Sequence, residues 1–148
     1  MSVASMTVRG GLGPDSAGLL GLARRGVAEA AMASDAAPRY AAAHLAALRA
    51  AAAVVAAKAR PDQRTGPRRR PISVWVLLGR VAPEMSEWAA FFAAGARKRA
   101  AAEAGLAGQV SAREADDLLR DAEEFLQVAE SILQVTHQEA LPLTRTGA

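Results

Sequence analysis

At 148 residues, the chain is sized for one domain and can bury about 68–70% of the surface it exposes when unfolded. Its 38 alanines favour an all-α fold, and the absence of cysteine excludes disulfides, thiolate metal sites and a cysteine nucleophile, which fits a reducing cytoplasm. The net charge of +3 hides an asymmetry: residues 1–100 carry 15 Lys+Arg against 6 Asp+Glu, and residues 101–148 carry 3 against 9.

Residues 1–14, "MSVASMTVRGGLGP", have no apolar periodicity and are expected to form a disordered lead. The "GLG" within it completes no G-x-G-x-x-G and follows no strand, so it is a poor nucleotide loop. A helix is expected from Asp15 or Ser16 through "AGLLGLARRGVAEAAMA", with Leu19, Leu22, Val27 and Ala30 inward. The apolar "GLLGLA" is short, internal and ends at Arg24 and Arg25, so it does not read as a secretion signal.

Ser34 or Asp35 can cap a second helix running to about Lys58, with Pro38 tolerated in its first turn. Its inward stripe is predicted to be Leu45, Leu48, Ala52 and Val55. Arg49 interrupts its apolar run, which is mostly alanine and valine, so no membrane span is expected. "RPDQRTGPRRRP", residues 60–71, has three prolines and a glycine and reads as an exposed basic loop.

Ser73 can cap "VWVLLGRVA", which breaks near Pro83 before "EMSEWAAFFAAGARKRAAAEAG". Trp75, Trp88, Phe91 and Phe92 fall here and are expected at the centre of the core. Arg97, Lys98 and Arg99 read as cations late in a helix, where its dipole favours them, with Arg99 paired to Glu103. Ser111 and Glu114 in "SARE" form a capping box before a stripe of Leu118, Ala122, Phe125, Ala129 and Ile132, widened by Leu119, Leu126 and Leu133. Together these elements predict an antiparallel up-and-down bundle of four to five helices over residues 15–140, with a flexible tail at 141–148.

"RYAAAHLAALRAAAAVVAAKARP", "SVWVLLGRVAPEMSEWAAFFAAGARKRAAAEAG" and "SAREADDLLRDAEEFLQVAE" resemble an actinobacterial branch of the HEPN superfamily, the higher eukaryote and prokaryote nucleotide-binding helical bundles. The resemblance spans about residues 15–135 and rests on the order and texture of whole helices. It implies a four- or five-helix up-and-down bundle, frequently a homodimer, and an association with RNA. Many such proteins are metal-independent ribonucleases, some are toxins with a nucleotidyltransferase-like antitoxin, and others only bind.

The family's ribonuclease motif is an arginine and a histidine separated by four to six residues. Arg39 and His44 fit that spacing; Tyr40 stands where a polar residue is usual, and the pair lies in the second helix rather than a late one. In such chemistry histidine moves protons and arginine stabilises phosphate charge. Five residues turn a helix through about 500°, leaving the two side chains about 140° apart. The competing reading is a semi-buried stripe of Tyr40, His44 and Leu48 with Arg39 in solvent.

For binding, Arg60, Arg64, Arg68, Arg69 and Arg70 are the better candidates, since clustered guanidinium groups attract phosphates with little sequence preference. No aromatic interleaves with them, so base stacking is not indicated. With His44 and His137 the only histidines, and no di-iron Glu-x-x-His pattern, no metal and no cofactor are expected. Asp117, Asp121 and Glu124 share one face of the last helix, read as solvated. The leading expectation is a non-catalytic binder of RNA or another phosphate-rich ligand. The alternatives are a metal-independent endoribonuclease using Arg39 and His44, or a helical adaptor holding a protein partner.

Overall fold

The computed structural model describes residues 14–59, 72–105 and 108–140, with the side chains of Pro14 and of residues 135–140 excepted. Residues 1–13 of the lead expected at 1–14, the basic loop and the tail at 141–148 lie outside the described residues, as does the His137 side chain. The described residues form an all-α fold: α1 (Pro14–Met32), α2 (Ala36–Lys58), α3 (Val74–Val81), a 3₁₀ turn (Pro83–Met85), α4 (Ser86–Ala94), α5 (Ala96–Glu103) and α6 (Ala112–Ala140). The described residues show six α-helices where four to five are expected: the break near Pro83 is the expected one, and Gly95 divides the following stretch once more. Pro14, assigned above to the lead, opens α1, where its missing N–H would go unpaired in any case.

Local signals set most of the boundaries. Ser73 caps α3 by accepting the Trp75 N–H at 3.2 Å. Ser111 and Glu114 close the capping box reciprocally, at 3.0 and 3.2 Å. Asp35 occupies the N-cap of α2 in an extended conformation, without a side-chain bond.

α2 is the central helix and packs against α1, α3, α4, α5 and α6. By length and composition alone it could cross a bilayer, but half of its apolar window is buried inside the bundle. Ser16 donates its hydroxyl hydrogen to the Ala53 carbonyl at 3.0 Å, and Gly26 lies against Ala46, so α1 and α2 run antiparallel. A Cβ on Gly26 would stand 3.0 Å from the Ala46 Cβ, so a side chain at this close seam would have to push Ala46 aside by a few tenths of an ångström. Lys58 pairs with Glu84 at 3.5 Å while Gly95 reaches Tyr40 and His44, so the arm from Pro83 to Gly95 runs back along α2.

With neighbours on several sides, α2 does not bury the predicted stripe. Tyr40, Ala43, His44, Ala46, Ala47, Ala50, Ala51, Ala53 and Val54 are buried, while Leu45, Leu48, Ala52 and Val55 are only partly so. In α1 the buried positions are Ser16, Leu20, Ala23, Gly26 and Ala30, and Leu22 faces outward. On α6, Leu118, Ala122, Phe125, Ala129, Leu126 and Leu133 are buried as the periodicity predicts, with Ile132 and Leu119 at the margin.

Phe92 is the hub of the aromatic core. Its ring lies nearly parallel to Trp75 (5.2 Å, 17°) and Trp88 (5.9 Å, 14°), and contacts Phe125 at 5.1 Å. Such contacts add to the large apolar area each ring buries. Phe91, also expected inside, is 48% exposed, and Trp88 is half-buried.

Candidate functional site

His44 lies in the third turn of α2 and is 1% exposed. Its Nε2 sits 2.8 Å from the Phe92 carbonyl, which can only accept, so Nε2 carries the proton and Nδ1 is left as an acceptor. Nδ1 is buried without a hydrogen-bond partner. The ring packs edge-on against Trp75 and Phe92 at 6.0 and 5.9 Å. Burial holds the imidazole pKa below its ordinary value; the Phe92 hydrogen bond opposes this, and the nearby Arg99 charge reinforces it.

The same Phe92 carbonyl accepts the Gly95 N–H at 3.1 Å, a tight bond at the point where α4 ends. A side chain that takes over a helix carbonyl is a recognised cause of a kink. His44 therefore helps to set the break between α4 and α5. That break moves Arg97 and Lys98 to the first turn of α5 rather than the end of a long helix, so the dipole reading of these cations is corrected. Carboxylates compensate instead: Lys98 pairs with Glu114, and Arg99 with Glu103 at 2.6 Å.

Arg39 turns away from His44. Its Nε donates to the Ala33 carbonyl at 3.1 Å, just beyond the end of α1, and its other nitrogens bond Ala33 and Asp116. A cation there complements the carbonyl end of α1, and Asp116 lies in the first turns of α6. Arg39 thus clamps three helices together; with its side chain 21% exposed, it is not the freely solvated arginine of the competing sequence reading. The structure does not bring Arg39 and His44 onto a common centre. Tyr40, between them, is buried as that reading predicts.

His44 also lines a cleft of about 280 Å³, together with Tyr40, Phe91, Phe92, Ala94, Gly95, Lys98 and Leu118. Tyr40 is 6% exposed, and no described residue hydrogen-bonds its hydroxyl. Burial raises its pKa, which the Lys98 charge partly offsets. A Cβ on Gly95 would come 3.1 Å from the Tyr40 oxygen and 3.4 Å from His44 Cδ2, so glycine permits this approach. Sequence reading missed the cleft because its lining comes from three separated segments. The available signal was Gly95 itself, a glycine within an alanine-rich run where it costs about 1 kcal/mol of helix propensity.

Arg60, Arg64, Arg68, Arg69 and Arg70 lie outside the described residues. On α6, Asp117 pairs with Arg120, while burial and then the Glu124 and Asp117 charges raise the pKa of Asp121. Among the described residues, no three His, Cys, Asp or Glu side chains group in a way that could hold a metal ion.

No curated protein and no solved structure matches the chain. The family model described as HEPN_SAV_6107-like HEPN matches residues 30–130. That stretch runs from the end of α1 through the His44–Phe92 contact and the cleft to most of α6. Matched over more than half its length by a family whose domain is helical, the chain belongs to the HEPN superfamily, in its SAV_6107-like group.

Proposed function

We propose that this protein is a non-catalytic HEPN module that holds RNA, or another phosphate-rich ligand, through its basic segment at residues 60–71. The observation carrying the non-catalytic half is the placement of His44. A general base must come within hydrogen-bond reach of the proton it takes. An imidazole 1% exposed, held by a main-chain carbonyl and walled by Trp75 and Phe92, is placed for packing. Arg39, which would have to face the same phosphate, is committed to Ala33 and Asp116.

Binding is supported by the sequence of the segment, where Arg60, Arg64, Arg68, Arg69 and Arg70 face a single acid, Asp62. Guanidinium groups at that density attract phosphates through charge and paired hydrogen bonds. A filter-retention assay with end-labelled single-stranded RNA tests both halves. Retention is expected at low salt, with no cleavage in the presence of chelator. Replacing Arg68, Arg69 and Arg70 by glutamine should lower both affinity and salt dependence, each lost contact reducing the log–log slope by about 0.7. Unchanged retention in that triple variant defeats the binding half. Chelator-resistant cleavage abolished by His44→Ala in a folded protein defeats the non-catalytic half and establishes the ribonuclease instead.

A further inference from the structure

The cleft beside His44 has two unlike walls. One is apolar: Phe91, 48% exposed, meets Phe92 edge-on at 5.0 Å and 78°, and Leu118 on α6 lines the same cleft. The other is polar: the Tyr40 hydroxyl has no hydrogen-bond partner among the described residues, and the Lys98 ammonium lies near enough for its charge to act on that hydroxyl. Lys98 has three N–H donors and uses one on Glu114. A hydroxyl and an ammonium group that both retain donor capacity, beside a half-exposed phenyl ring, select an anion with an apolar body.

Size and charge narrow the class. A volume of about 280 Å³ is just under the roughly 300–1,000 Å³ typical of ligand pockets, which calls for a small molecule. Glu114 already offsets part of the Lys98 charge, which favours a monoanion over a phosphate dianion. Arg97 and Arg99 flank Lys98 in sequence and disfavour a cation. We propose that this cleft binds a small carboxylate with a flat apolar body, its oxygens on Lys98 Nζ and the Tyr40 hydroxyl and its body between Phe91 and Leu118. Gly95 is the residue that keeps the Tyr40 hydroxyl accessible to the ligand, because a methyl group there would approach that oxygen to 3.1 Å.

The test is an NMR titration of the full chain with sodium phenylacetate, with phenylacetamide as the neutral isostere and inorganic phosphate as the bare anion. Phenylacetate is expected to give saturable shifts centred on Tyr40, Phe91 and Gly95, with the amide and phosphate at least about tenfold weaker. Lys98→Gln should weaken phenylacetate by about tenfold, and Tyr40→Phe by several-fold, with the helical spectrum of each variant retained. The proposal is overturned by the absence of saturation up to about 10 mM phenylacetate, by equal affinity for the amide, by tighter binding of phosphate, or by indifference to Lys98→Gln. Replacing Arg68, Arg69 and Arg70 should leave phenylacetate binding intact, so this inference and the RNA reading stand or fall separately.

Discussion

The two sides of α2 are held by opposite means. Toward α1 the contact is made of Gly26, Ala46 and Ala53, with a methyl carbon already 3.0 Å from where a Gly26 Cβ would stand. Toward α3, α4 and α6 it is made of His44, Trp75, Phe92 and Phe125, whose rings fill the space. The first interface depends on atoms that are missing, and the second on atoms that are present. Adding volume should therefore harm the seam, and removing volume should harm the aromatic hub.

The hub gives the largest test. Phe92→Ala should cost about 3–5 kcal/mol in urea unfolding, because the ring is fully buried and its neighbours are themselves large and mutually packed. A loss below about 1 kcal/mol would mean that the rings collapse into the void and that the hub is loosely specified.

On the seam side, Gly26→Val should cost about 1–3 kcal/mol by overpacking. Ala46→Gly in the same chain should recover part of that loss, a positive coupling between two residues in contact. Additive effects in this double-mutant cycle would separate the two positions energetically and remove the steric reading of the seam.

The smallest expected effect is electrostatic and sharpens the description of the hub. Burial holds the His44 pKa in the fold below the ordinary 6.5 at which the unfolded chain takes its proton. The unfolded state then binds more protons, so the His44 contribution is fully present above that pH and is lost progressively as pH falls below it. Arg99 and Glu103 act on the imidazole with opposite sign. Chemical unfolding between about pH 7 and 5 should show this decline, and His44→Leu should flatten it. An unchanged slope in that variant would assign the decline to other groups.

Features written by neighbours in sequence were legible before any coordinates: the Ser73 cap, the break at Pro83, the Ser111–Glu114 box and the apolar stripe of α6. All are one-turn effects or a single buried face. The inward face of α2 is not legible from periodicity, which assumes one buried side, and alanine does not distinguish a seam from a surface. Phe91 was placed inside on its chemistry alone, although the break at Gly95 and the cleft beside it leave its ring half in solvent. The spacing of Arg39 and His44 correctly implied divergent side chains, but not that Ala33, Asp116 and Phe92 would receive them.

The His44–Phe92 hydrogen bond also bears on the order in which the molecule folds. Residues 86–103 hold eight alanines and one glycine, a composition with few local reasons to bend. The imidazole that claims the Phe92 carbonyl comes from 48 residues away, so the contact must wait until two distant segments of chain have met. The cleft is therefore complete only once α2 has docked on α4, and that docking reinforces the break beside Gly95.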